Sequence, residues 1–167
     1  MSEAQESARP ELGIVVGVDG SPLSIEALKW AARLEPTLGG PITAVAAWHI
    51  PASAAGFAEY PGVGWNPEED AATVLEGALK DAFGDQRPAG LTARTVQGRP
   101  AQVLVEASRD ASMLVVGSRG LGGFMGMLLG SVSRACAEHA ACPVMVLHAP
   151  GDEKAGTSVE TDELTHR

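Results

Sequence analysis

The sequence predicts an α/β domain in which a parallel sheet carries helices on both faces. Short apolar runs rich in β-branched residues alternate with longer stretches whose apolar residues recur at helical spacing. Glycine and proline separate these segments, and the order is strand then helix four times, closed by a fifth strand. With 45% apolar and 20% charged residues, the chain can bury a core.

The first half of the chain contains two of the predicted strands and two of the helices. Ser21 and Pro22 suit the N-cap and first position of a helix, and Gly39-Gly40 ends it. Asn66-Pro67 begins the second helix, whose buried face includes Leu75, Leu79 and Phe83. The predicted elements are a strand at 13–18, a helix at 22–38, a strand at 42–48 and a helix from 67 to about 83.

The second half predicts a third strand at 91–96 with alternating character, followed by a helix that Pro100 begins. Residues 112–116 form the most apolar strand of the chain. After a long glycine-rich segment, a helix is expected at 131–141 and a last strand at 143–147.

One domain of about 138 residues, 11–148, accounts for the 167-residue chain. Residues 1–10 and 149–167 are predicted to be disordered tails, with net charges of −1 and −3. The chain carries −9 overall, which argues against binding nucleic acid or an anionic membrane surface. With no signal-peptide core, no apolar run long enough to span a membrane, and only Cys136 and Cys142, we expect a cytoplasmic protein with reduced thiols.

The segment after the fourth strand, residues 117–131, predicts a phosphate site. Six of the 20 glycines fall within it, and glycine lets backbone N–H groups approach an anion closely. The segment ends at Gly130-Ser131, where a helix begins and adds unpaired N–H donors and a hydroxyl group. No acidic residue lies between 111 and 137, whereas Arg119 and Arg134 do.

Other nucleotide motifs are missing: the chain has no G-x-x-x-x-G-K-[ST] loop, and no G-x-G-x-x-G follows the first strand. Ligands of open parallel sheets bind beyond the carboxyl ends of the strands, where the strand order reverses. We therefore expect the site at the ends of strands one, two and four.

These motifs resemble one known family. Gly117-x2-Gly120-x9-Gly130-Ser131, with the strand exit Val18-Asp19-Gly20-Ser21 and the closing Cys142-Pro143-Val144, is similar to the nucleotide motif of universal stress proteins of the ATP-binding branch. The resemblance covers about residues 11–148.

The resemblance implies a five-stranded parallel sheet in the order 3-2-1-4-5 and ATP, or alternatively AMP or cyclic AMP, over the ends of strands one and four. It also implies a Mg²⁺ or Mn²⁺ ion held through the phosphates, without a protein ligand, and a homodimer through the fifth strand. The implied binding residues are Asp19 for the adenosine, Ala47 for the adenine edge, Gly117 and Gly120 beside the ribose and phosphates, and Gly130, Ser131, Val132 and Ser133 at the helix start. Arg119 is added to them because of its charge, which could hold a phosphate group.

Alternatives stay open from the residues alone. Asp19 could cap a turn, and the loop at 50–66, with its aromatic residues, could be a lid over the base or a mobile connection. No catalytic constellation emerges, so binding is better supported than turnover. The alternatives to a nucleotide-dependent stress or signalling module are a slow metal-dependent ATPase or phosphotransferase that uses Arg119, and an interaction protein with a vestigial site.

Overall fold

The structure, a computed structural model, describes residues 12–50, 65–122 and 128–149. Five parallel strands form one sheet in the order β3-β2-β1-β4-β5, as predicted. In the described parts of the chain, four helices cover its two faces, and a short 3-10 turn at Ser108–Asp110 precedes β4. The elements are β1 (Gly13–Gly17), α1 (Pro22–Leu38), β2 (Ile42–Trp48), α2 (Pro67–Phe83), β3 (Thr92–Gln97), α3 (Pro100–Ala107), β4 (Ala111–Gly117), α4 (Ser131–His139) and β5 (Val144–Leu147).

The core consists of two apolar layers separated by the sheet. One layer packs α1 and α2 against Ile14, Val16 and Ile42, all fully buried. The other packs α3 and α4 against residues of alternate register, such as Leu114 and Val116. Successive strand residues point to opposite faces, so strands buried on both sides read as continuous apolar runs.

The predicted capping signals operate as expected. The Ser21 hydroxyl oxygen accepts a hydrogen bond from Ser24 N at 3.3 Å at the start of α1. The Asn66 side chain accepts from Glu68 N at 3.1 Å and from Glu69 N at 3.3 Å at the start of α2. Four residues separate β1 from α1, and Gly130 N donates to Ser118 O directly after β4, so α1 and α4 both begin at the carboxyl edge of the sheet.

Two elements differ from the expectations. The last helix ends at His139 rather than 141, because Ala140 is already extended and Pro143 follows closely. β3 is shifted by one residue and lacks the predicted alternation, since it is an edge strand with its first three residues exposed.

No helix in the described parts is long and apolar enough to cross a membrane. The predicted tails, apart from residue 149, and most of the 50–66 loop lie outside the described residues.

Candidate functional site

A cavity of about 830 Å³ opens at the carboxyl ends of β1, β2 and β4. This volume lies within the range of about 300–1,000 Å³ that is usual for small-molecule sites. The cavity lies at the point where the strand order reverses, the expected position for a ligand of an open parallel sheet. All of the predicted binding residues line it: Asp19, Ala47, Gly117, Arg119, Gly120, Gly130, Ser131, Val132 and Ser133.

The ends of the glycine-rich segment are joined at Ser118. Its carbonyl oxygen accepts Gly130 N at 2.7 Å and the Ser133 hydroxyl at 2.7 Å. Ser118 N in turn donates to Leu147 O at 2.7 Å. Ser118 therefore holds together the exit of β4, the start of α4 and the end of β5.

The first turn of α4 presents open hydrogen-bond donors. Gly130 is the N-cap residue and has no side chain that could cap the helix. The first intrahelical bond runs from Arg134 N to Gly130 O, at 3.0 Å. The N–H groups of Ser131, Val132 and Ser133 thus have no intrahelical acceptor, and together with the helix dipole they favour an anion.

Asp19 connects the two halves of the site. Its Oδ1 accepts Ser21 N at 3.0 Å, which makes the turn that leads into α1. Its Oδ2 accepts Leu121 N, in the loop after β4, at 3.1 Å. The carboxylate is exposed to solvent, so its remaining lone pairs are accessible to a ligand.

Two of the predicted glycines are required by contacts within the protein. A Cβ at Gly120 would collide with Asp19 Oδ2, and one at Gly117 would lie 2.7 Å from the Leu23 Cβ. Both contacts would be shorter than 3.0 Å, which real Cβ atoms essentially never show. Small residues at these positions let the loop approach Asp19 and α1 closely.

The hydrogen-bond pattern of β2 shows where the backbone of Ala47 points. Val45 O accepts Val18 N at 2.9 Å, so Val45 faces β1, whereas Trp48 O accepts Gly98 N at 2.8 Å on the β3 side. Because residues of a parallel strand face their two neighbours alternately, the N–H and C=O of Ala47 face the β1 side. β1 ends at Gly17, and no hydrogen bond within the described residues joins Ala47 to it.

Sequence reasoning missed part of the lining. Val74 on α2 is 39% exposed and stands over Gly20, and Leu104 of α3 lies on the other side of the sheet. Arg134 and Glu138 of α4 also line the cavity. Arg134 could have been assigned from its place in the acid-free stretch, but Val74 carries no local signal because only the packing of α2 brings it to the cavity.

The cavity combines charges of both signs. Asp19 and Glu138 contribute carboxylates, whereas Arg119 and Arg134 contribute guanidinium groups. Within the described residues, no three His, Cys, Asp or Glu side chains come together as a metal-ligand group. The arrangement suits a ligand with an anionic end at α4 and a polar, planar or apolar end near β2.

Other candidate residues lie elsewhere. His49, His139 and His148 are exposed. Trp65 points its ring N–H to Asp70 Oδ2, at 3.0 Å, in the first turn of α2. Phe57, Tyr60, Phe124 and Met125 lie outside the described residues.

Comparisons with known proteins agree with this architecture. The model of the universal stress protein family matches residues 13–148. A universal stress protein of Mycolicibacterium smegmatis is 37% identical in an alignment of 157 residues, and the match covers 87% of this chain and 50% of that protein. One from Mycobacterium tuberculosis strain H37Rv is 36% identical over 152 residues, with 85% and 49% covered. The chain thus spans about half the length of these relatives.

Solved structures share the fold. The universal stress protein UspA of Lactobacillus plantarum superposes with a TM-score of 0.64 at 16% identity, covering 83% of this chain and 99% of that one. A universal stress protein solved in complex with cAMP gives 0.62 at 24% identity, with 83% and 98% covered. The protein from Archaeoglobus fulgidus in complex with dAMP gives 0.57 at 24% identity, with the same coverage. From the sequence match and the shared sheet order, this chain belongs to the universal stress protein family.

Proposed function

We propose that this chain is an adenine-nucleotide-binding module, with ATP as its ligand, that acts in a stress response or in signalling rather than as an efficient catalyst. The observation that carries the proposal is the composition of one cavity: the free backbone edge of Ala47, the exposed carboxylate of Asp19 and the open first turn of α4 all line it. These groups match the base, ribose and phosphate parts of a nucleotide in that order.

The adenine end of the proposal rests on Ala47. The N–H and C=O of Ala47 form an adjacent donor and acceptor at the sheet edge, and the edge of adenine offers an acceptor and a donor of complementary spacing. Val74 and Val18 supply apolar surface beside it. Relatives of the same fold were solved with cAMP and dAMP, both of which contain adenine.

The phosphate end rests on the backbone at the start of α4. Gly130, the N-cap residue, has no side chain that could compete with a ligand for the N–H donors there. The phosphate oxygens would then accept hydrogen bonds from the first-turn N–H groups and from the Ser131 hydroxyl. A Mg²⁺ or Mn²⁺ ion would be held by the phosphate oxygens, and the described side chains would not need to supply its ligands.

Binding is favoured over turnover because of how Asp19 is used. Hydrolysis requires a group that positions and deprotonates water. Both oxygens of Asp19 already accept backbone N–H groups, so the carboxylate holds the turn after β1 and the loop after β4 in place and is not positioned to orient a water molecule. We therefore expect nucleotide occupancy, rather than product formation, to be the signal.

The test begins with the purified protein, which is denatured so that any released nucleotide can be identified by chromatography and mass. Titration calorimetry with ATP, AMP and cyclic AMP then ranks them. Ser131→Asp is the matched variant: an acidic residue at the first position of a helix stabilises it, but its charge repels phosphate. We expect a folded variant without nucleotide. Wild-type protein that releases no nucleotide and binds none below millimolar concentration would refute the proposal.

We also propose that the chain forms a homodimer through β5. The two sheet edges differ: β3 exposes Thr92 and Arg94, whereas all four residues of β5 are apolar and half-buried. Charged edges resist pairing, and bare apolar edges invite it. Light scattering should give twice the mass of one chain, and Val146→Lys should give the mass of one; a monomeric wild-type chain at micromolar concentration would refute this proposal.

A further inference from the structure

Arg134 occupies a distinctive position at the phosphate end of the cavity. It lies one helical turn after Gly130, the N-cap residue of α4, and lines the same cavity as Ser131. Long side chains on a helix lean towards its N-terminus and cover the preceding turn. The guanidinium group therefore extends towards the region that the terminal phosphates would occupy, beyond the backbone donors of the first turn.

The charge of Arg134 is not neutralised within the described residues. Glu138 lies on the same helix face four positions later, but the contact of its carboxylate is with His139, at 3.7 Å. The ion pairs found elsewhere in the described parts do not include Arg134. A cation without a partner at the rim of a cavity attracts an anionic ligand group.

The backbone donors alone serve only a short phosphate chain. Three successive N–H groups at a helix start surround a single phosphate group. ATP carries two more phosphates than AMP, and these must extend beyond the first turn. A guanidinium group matches phosphate oxygens bidentately and is suited to hold them there.

We infer that Arg134 is the residue by which this site selects for phosphate chain length, favouring ATP and ADP over AMP and cyclic AMP. The inference rests on the proposed nucleotide function and deepens it: the α4 backbone binds the first phosphate of any adenine nucleotide, and Arg134 binds the terminal ones. Arg134 is thus a specificity residue and not a condition for binding as such.

The test compares ATP and AMP affinities of three proteins by titration calorimetry. Arg134→Gln should weaken ATP binding about tenfold, because a charge-assisted hydrogen bond is lost, and should change AMP binding less than about twofold. Arg134→Lys should retain part of the ATP preference. Arg109→Gln removes the same charge from an exposed position next to Glu106, outside the cavity lining, and should leave both affinities unchanged. Because Arg134 is exposed, the variants should melt at the wild-type temperature.

The outcomes separate the two proposals. If Arg134→Gln lowers ATP and AMP affinity by the same factor, or lowers neither, Arg134 does not determine specificity, although nucleotide binding stands. An equal loss in Arg109→Gln would show that only the net charge matters and would also overturn the inference. If the wild-type protein binds neither nucleotide, the proposed function fails together with the inference.

Discussion

The carboxylate of Asp19 accepts the backbone N–H of Leu121 at 3.1 Å, although the two residues are 102 positions apart in the chain. This bond joins the turn after β1 to the loop after β4, and both segments line the cavity. The second carboxylate oxygen holds the turn into α1 through Ser21 N. Asp19 is therefore a turn-forming residue, as one interpretation of the sequence held, and it also links that turn to the loop after β4.

Asp19→Asn should loosen this connection. An amide has one acceptor oxygen where the carboxylate has two, and it lacks the charge that strengthens a hydrogen bond to N–H. We expect a loss of about 1 kcal/mol in the free energy of unfolding and at least a tenfold weaker binding of ATP. Urea unfolding and calorimetry measure these, with Asp85→Asn, at an exposed carboxylate after α2, as the control. Unchanged stability and unchanged affinity would show that the Asp19 carboxylate performs neither role.

Gly120→Ala tests the steric part of the same contact. The added Cβ would collide with Asp19 Oδ2, so either the loop or the carboxylate must shift, at a cost of about 1–3 kcal/mol. In an Asp19→Ala background the collision disappears. We expect a double-mutant cycle of unfolding free energies in which the Gly120→Ala cost falls by more than about 1 kcal/mol. Additive costs would place the strain of Gly120→Ala somewhere other than at Asp19.

The elements of the fold were predictable because their signals are local. Ser21 and Asn66 make the capping bonds that their positions indicated. β2 begins and ends where its apolar run does. The alternation expected for the third strand was wrong because β3 lies at the sheet edge, and exposure there depends on the strand order. Strand order is a property of the whole sheet and came only from the family resemblance.

The site was predictable on the glycine-rich side and not on the helix side. Gly117, Gly120, Gly130 and Ser131 lie within one short segment, so their spacing is visible in the sequence. Val74 lines the same cavity from α2 only because that helix packs across the end of the sheet. The sequence also could not show why residue 120 is glycine, because the group that a Cβ there would collide with is the side chain of Asp19, far away in the chain.

Two buried serines where the start of α4 meets the exit of β4 should respond oppositely to truncation. Ser118 is fully buried, and its hydroxyl has no hydrogen-bond partner within the described residues, whereas the Ser133 hydroxyl donates to Ser118 O at 2.7 Å. An unsatisfied buried hydroxyl is costly. Ser118→Ala should therefore be neutral or raise stability by up to about 1 kcal/mol, and Ser133→Ala should lower it by about 1 kcal/mol. Thermal and urea unfolding of both variants measure this; destabilisation by Ser118→Ala would mean that its hydroxyl has a partner.

Cys136 should make the stability of the domain fall in alkaline solution. Burial raises the pKa of its thiol from the ordinary 9.0 to about 11, so the folded chain keeps the proton at pH values where the unfolded chain has lost it. Stability falls with rising pH wherever the unfolded state binds fewer protons than the folded state. The stability that comes from burying the neutral thiol is therefore fully present below pH 9 and is lost as the pH rises towards 11. Cys136→Ala leaves a cavity and lowers stability at every pH, but its decline over this interval should be shallower than that of the wild type. Urea unfolding across the interval measures both slopes, and parallel slopes would show that the Cys136 thiol does not titrate differently on folding.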